Sequence, residues 1–157
     1  MDSRENIKNF TPISKFERLE NAIVSYTNIS DISFFEKNKN IKELRLYGWG
    51  NIEDFTPISK LKRLEALKVG HTNISNISFL EKNINIKELD LVFCENIKDF
   101  TPISKLERLE YLDVRSTNIS DISFLEKNKN IRIIYLTDCE NINENDNIFN
   151  KKDIIIF

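Results

Sequence analysis

This chain has one histidine, two cysteines and three glycines among 157 residues, so the groups that most often carry catalytic, redox and phosphate-binding chemistry are few. A lone imidazole, His71, cannot build a paired-histidine metal site, and it reads as a surface or contact residue rather than a general base. Gly48, Gly50 and Gly70 form no phosphate-cradling loop, which needs a defined glycine spacing between a strand and a helix. Carboxylates abound, but Glu36, Glu81 and Glu126 recur at a fixed step of 45 residues. That regularity suits helix capping better than a catalytic acid–base pair. No catalytic residue, cofactor-binding residue or metal ligand is assigned, and the chain is expected not to be an enzyme.

The charge balance narrows the partners. With 23 basic and 25 acidic residues the net charge is -2. A nucleic-acid partner calls for a concentrated basic surface and a membrane surface for a polybasic cluster, and neither is present. The N-terminal residues are polar, and the longest apolar run, Ile154 to Phe157, is far too short to span a bilayer. The expected setting is a soluble, cytoplasmic one, with Cys94 and Cys139 as free thiols.

What positions these groups is a repeat. The segment Phe10-Thr11-Pro12-Ile13-Ser14-Lys15 returns at 55–60 and 100–105, and Thr27-Asn28-Ile29-Ser30 returns at 72–75 and 117–120. A step of 45 fits helical-hairpin repeats or propeller blades, but the unit divides into halves of 22 and 23 residues that align without a gap. Six copies follow, near 6–27, 28–50, 51–72, 73–95, 96–117 and 118–140, with 141–157 as a C-terminal cap of a single domain. Each copy alternates apolar and polar residues over a short stretch, as at Leu67-Lys68-Val69, the period of a strand with one buried face. Thr56-Pro57 predicts a helical turn capped by the threonine, and Ser33/Glu36, Ser78/Glu81 and Ser123/Glu126 predict capping boxes. Asn38, Asn83 and Asn128 are expected to end those turns in the left-handed conformation.

The spacings Leu64-x-x-Leu67-x-Val69-x-x-Thr72 and Ile86-x-x-Leu89-x-Leu91-x-x-Cys94 resemble the leucine-rich-repeat superfamily over about residues 6–142. The 22-residue copies are most similar to the internalin-like type, and the 23-residue copies to the cysteine-containing type. The resemblance implies a right-handed α/β solenoid: one parallel sheet of six or seven short strands, with 3₁₀ or short helical turns on the convex side. It also implies a scaffold that binds a partner protein through its concave face. Strands stack about 4.8 Å apart, so two cysteines two copies apart lie roughly 10 Å from each other, too far for a disulfide. They are expected to sit buried at the ladder position that Thr27, Thr72 and Thr117 hold in the sister copies.

Three columns of residues escape the repeat. One runs Ile23, Arg45, Lys68, Asp90, Asp113, Tyr135; the next includes Tyr47 and Arg115; the third includes Tyr26, His71 and Phe93. Tyr, Phe and Arg beside opposite charges are the residues that dominate protein interfaces. The candidate partner-binding residues are therefore Tyr26, Arg45, Tyr47, Trp49, Lys68, His71, Asp90, Phe93, Asp113, Arg115 and Tyr135. The expected surface is bipolar, with Arg45 and Lys68 facing one half and Asp90 and Asp113 the other; alternatively, Lys68 and Asp90 pair across strands. Trp49 takes the slot of Cys94, either sealing the core or turned outward between Gly48 and Gly50. The terminal Asp153-Ile154-Ile155-Ile156-Phe157 has strand character. It either caps the sixth strand or exposes an edge for self-association, which is the alternative function.

Overall fold

The computed structural model describes residues 11–25, 29–48, 51–140, 142, 147–150 and 154–157. Among them runs a seven-stranded parallel sheet in strict chain order. Its strands are β1 (Asn21–Ile23), β2 (Glu43–Arg45), β3 (Ala66–Lys68), β4 (Glu88–Asp90), β5 (Tyr111–Asp113), β6 (Ile133–Tyr135) and β7 (Ile155–Ile156). Each is reached through a five-residue 3₁₀ turn such as Thr56–Lys60 or Ser78–Lys82, except β7, which follows Asn147–Asn150. The register is unbroken: Leu44, Leu67, Leu89, Leu112 and Ile134 stand side by side, and all five are fully buried. Strands β1 to β6 are only three residues long and β7 two, so this single inward residue, with the apolar residue just after the strand, carries the sheet's contribution to the core. β7 pairs with β6, and Ile148 from the turn before it is buried, while Ile155 and Phe157 remain exposed.

The turns start differently from the expectation. The residues expected to cap are the first residues of the turns themselves, and the acceptor lies two positions upstream. The N–H groups of Ser33, Thr56, Ser78, Thr101 and Ser123 donate to the side chains of Asp31, Asp54, Asn76, Asp99 and Asp121 at 2.7–2.9 Å. An aspartate or asparagine that accepts from the N–H two residues on forms an Asx turn, which presets the chain for the helical bend.

The asparagines also differ from expectation. Asn38, Asn83 and Asn128 do end their turns, but with φ of -87°, -107° and -85°, outside the left-handed region. Their side chains are buried and point at the preceding copy. The Asn83 amide donates to the carbonyls of Ile58 and Leu61, both at 3.0 Å, and Asn38 and Asn128 do the same one unit before and after. These carbonyls already accept one backbone N–H each, Ile58 from Leu61 and Leu61 from Leu64, so the amide fills their second lone pair. The amide oxygens of all three asparagines are buried without a hydrogen-bond partner. In the alternate copies the same position is apolar, Leu61 and Leu106, so the asparagine amide bonds a copy only to the one before it, and at the following junction strands and turns pack without that bond.

Candidate functional site

In β1, β2, β3 and β6 both residues flanking the buried one are at least partly exposed, and in β4 and β5 the first of them is. The sheet therefore shows two outward columns, where the sequence suggested one central column. The additional column, Asn21, Glu43, Ala66, Glu88, Tyr111 and Ile133, lies two residues before the predicted one, and strand alternation places it on the same face.

That second column changes the electrostatics. Arg45 pairs with Glu43 of its own strand at 2.5 Å, and Lys68 pairs with Glu88 of β4 rather than with Asp90. Asp90 and Asp113, expected to be exposed, are buried. Asp113 is only 1% exposed and grips Arg115 through two bonds, Nε to Oδ1 at 2.9 Å and Nη2 to Oδ2 at 2.6 Å. That grip holds the Arg115 guanidinium pKa above its ordinary value. Asp90 accepts from the Val92 N–H at 3.0 Å and from the phenol of Tyr47. Burial, then the bond to Asp90, pushes the Tyr47 pKa up. The bipolar surface is thus replaced by locally paired charges. Partly exposed pairs of this kind contribute only about 0–1 kcal/mol each.

Tyr47 reaches across an intervening copy to make its bond. Between it and Asp90 lies Gly70, which is buried despite having no side chain. A Cβ there would stand 2.5 Å from Val92 Cγ1 and 3.1 Å from Asp90 Oδ1.

Farther along the sheet the outward residues become aromatic. Tyr111 and Tyr135 have ring centroids 5.5 Å apart, Tyr135 stacks on Phe157 at 4.8 Å, and the Arg115 guanidinium lies 5.0 Å from the Tyr135 centroid. Burial, the first cause, raises the Tyr111 pKa to about 12. Tyr111 and Phe157 were not among the predicted residues; the alternation rule, carried one strand position back and one strand onward, finds both.

The third column lies at the edge of the sheet. His71, Phe93, Ser116 and Asp138 all have left-handed backbones, with φ between 52° and 62°, and Gly48 holds the equivalent place at 117°. A side chain there costs about 1–2 kcal/mol relative to glycine. The His71 and Phe93 rings stack at 4.5 Å. Tyr26 and Trp49 lie outside the described residues.

The predicted thiol ladder is present, with Cys94 buried but Cys139, also expected to be buried, only half-buried. Thr72 Oγ1 donates to the Val69 carbonyl at 2.7 Å and lies 3.7 Å from Cys94 Sγ, and Thr117 repeats the arrangement with Val114 and Cys139. Both cysteines are free. Burial raises the Cys94 pKa to about 11, which keeps it a thiol and a poor nucleophile at neutral pH.

No family model and no curated protein matches the chain. Solved structures do. A leucine-rich-repeat protein from Leptospira interrogans superposes with TM-score 0.75 at 19% identity, over 92% of this chain and 38% of the other. An internalin from Listeria monocytogenes superposes with TM-score 0.76 at 28% identity, over 85% of this chain and 38% of the other. The chain has the leucine-rich-repeat fold. Internalin C2 from Listeria monocytogenes is similar to this leucine-rich-repeat chain as well, with TM-score 0.72 at 23% identity over 83% of it and 57% of the other. In each case the leucine-rich-repeat chain spans less than two thirds of the neighbour's length. Among its described residues no helix is long and apolar enough to cross a membrane, and no group of three or more His, Cys, Asp or Glu could hold a metal ion.

Proposed function

We propose that the chain is a non-catalytic scaffold that binds a partner protein through the outward, concave face of its sheet. The observation that carries this reading is the aromatic run Tyr111, Tyr135 and Phe157 with Arg115 over the middle ring. Tyrosine and arginine are the residues most enriched at binding hot spots, and a scaffold gains nothing in stability from leaving such a patch half-exposed. The internalin neighbours support the same class of function by fold alone.

The test is to isolate partners from a host lysate and measure the affinity of the purified pair. Tyr135→Ala at a hot spot weakens binding by about thirtyfold, the equivalent of about 2 kcal/mol. Unchanged affinity in Tyr135→Ala and in Lys68→Glu would remove the sheet face from the interaction. A second reading, self-association through the end of the solenoid, is favoured by the exposed Ile155 of the edge strand β7 and the exposed Phe157 just after it. Light scattering over a concentration series tests it: growth in mass that Phe157→Lys abolishes supports assembly.

A further inference from the structure

Beside the stacked rings of His71 and Phe93 lies a cavity of about 450 Å³, also lined by Glu95 and by Asn51, Asn73 and Asn96. All six side chains belong to exposed residues, and the three asparagines lie in successive copies. Among the described residues Glu95 has no ion-pair partner. Its backbone is fixed instead, because the Asn118 amide donates to its carbonyl. A second cavity of about 240 Å³ adjoins the first, shares Glu95 and adds Asp138 and Glu140. Among the described residues neither cavity has a lysine or arginine in its lining.

This combination selects its ligand by chemistry. The ring faces are electron-rich, the carboxylates carry the charge, and each carboxamide adds a carbonyl acceptor. A flat cation with many N–H donors satisfies all three at once. The guanidinium group has that shape and forks onto a carboxylate, whereas an ammonium is a compact point charge without a face to stack.

We infer that this pair of cavities is a docking site for arginine side chains of a protein partner, with one guanidinium on the Phe93–His71 pair against Glu95. The inference rests on the reading of the chain as a protein-binding scaffold, but it places a contact at the rim of the sheet rather than on its face. The second cavity lies about two strand spacings along, roughly 10 Å, which a polyproline II segment covers in about three residues while returning to the same face. An Arg-x-x-Arg segment therefore spans both.

The experiment needs no natural partner. The blocked peptide acetyl-Arg-Ala-Ala-Arg-amide and its lysine counterpart are titrated into the folded chain. The aromatic resonances of Phe93 and the side-chain amides of Asn73 and Asn96 are followed by NMR. Saturable shifts with the arginine peptide, at least about threefold tighter than with lysine, are expected. Glu95→Gln, a surface change, weakens the arginine peptide by roughly three- to fivefold, and Phe93→Leu removes the preference for arginine. Linear shifts, equal affinity for the two peptides, or an unaltered affinity in Glu95→Gln would overturn the assignment. So would shifts centred on Tyr135 and Lys68. None of those results tests whether a protein binds the sheet face, which stands or falls on the Tyr135 and Lys68 variants with a real partner.

Discussion

Gly70→Ala adds one methyl group at a point where three neighbours already stand. The new Cβ meets Val92 Cγ1 at 2.5 Å, Val92 O at 3.0 Å and Asp90 Oδ1 at 3.1 Å. The first distance is a full ångström inside the carbon–carbon optimum of about 3.5–4.0 Å. Valine is β-branched and stiff at χ1, so it cannot swing away cheaply. The Val92 carbonyl is held as well, since it accepts from the His71 N–H at 2.8 Å. Overpacking of this kind costs about 1–3 kcal/mol. Against it stands the smaller entropy of the unfolded alanine chain, about 0.4–1 kcal/mol, because Gly70 does not need a left-handed backbone. The expected net loss is about 1–2 kcal/mol. It is read as a lower urea midpoint with an unchanged denaturant slope. The strain relaxes most readily by moving Asp90, the acceptor of the Tyr47 phenol, so Gly70→Ala and Tyr47→Phe are coupled. The double variant therefore loses less stability than the sum of the singles. A Gly70→Ala protein as stable as the parent would refute the crowding argument. Full additivity with Tyr47→Phe would refute the route through Asp90.

Two further outcomes follow from buried polar groups. Asn83→Leu removes the second donor from the carbonyls of Ile58 and Leu61, which keep their backbone bonds, but it also removes an unpartnered amide oxygen. The loss dominates, and thermal or urea unfolding is expected to show about 1–3 kcal/mol of destabilisation. The two thiols separate by rate with an aromatic disulfide reagent at neutral pH: half-buried Cys139 reacts first, and Cys94 reacts only on opening of the fold. Because the folded Cys94 pKa is raised from 9.0 to about 11, its contribution to stability is full below about pH 9. It is lost as the pH rises through 11, so the urea midpoint falls across that window and Cys94→Ala flattens the fall.

The fold was legible because one frame is written several times over. Inward residues such as Leu67 and Leu89 repeat at fixed spacing, and nothing but a stacked parallel sheet buries them all. The ladder of Thr72 and Cys94 followed from the same frame. The candidate surface was less legible, because surface side chains choose among several nearby partners. Lys68 had carboxylates on two columns within reach and took Glu88, which the sequence reading had not placed on that face. Asp113 folded back on Arg115, two residues along its own chain, and became buried instead of facing outward. The asparagines were misread because left-handed termination is their commonest role at turn ends. Here the neighbouring copy offers two carbonyls that each have a lone pair to spare, and the side chain donates to both.

The one-sided bonding of Asn38, Asn83 and Asn128 sets the length by which such a chain can grow or shrink. Inserting or deleting 45 residues places every asparagine beside the leucine-bearing turn it already fits, and creates no junction that the chain does not already contain. A step of 22 or 23 residues does otherwise. It sets two asparagine-bearing turns side by side, or two leucine-bearing turns with no amide between them to add a second bond to the carbonyls. By that count, inserting an odd number of turns creates one junction of a kind this chain does not contain.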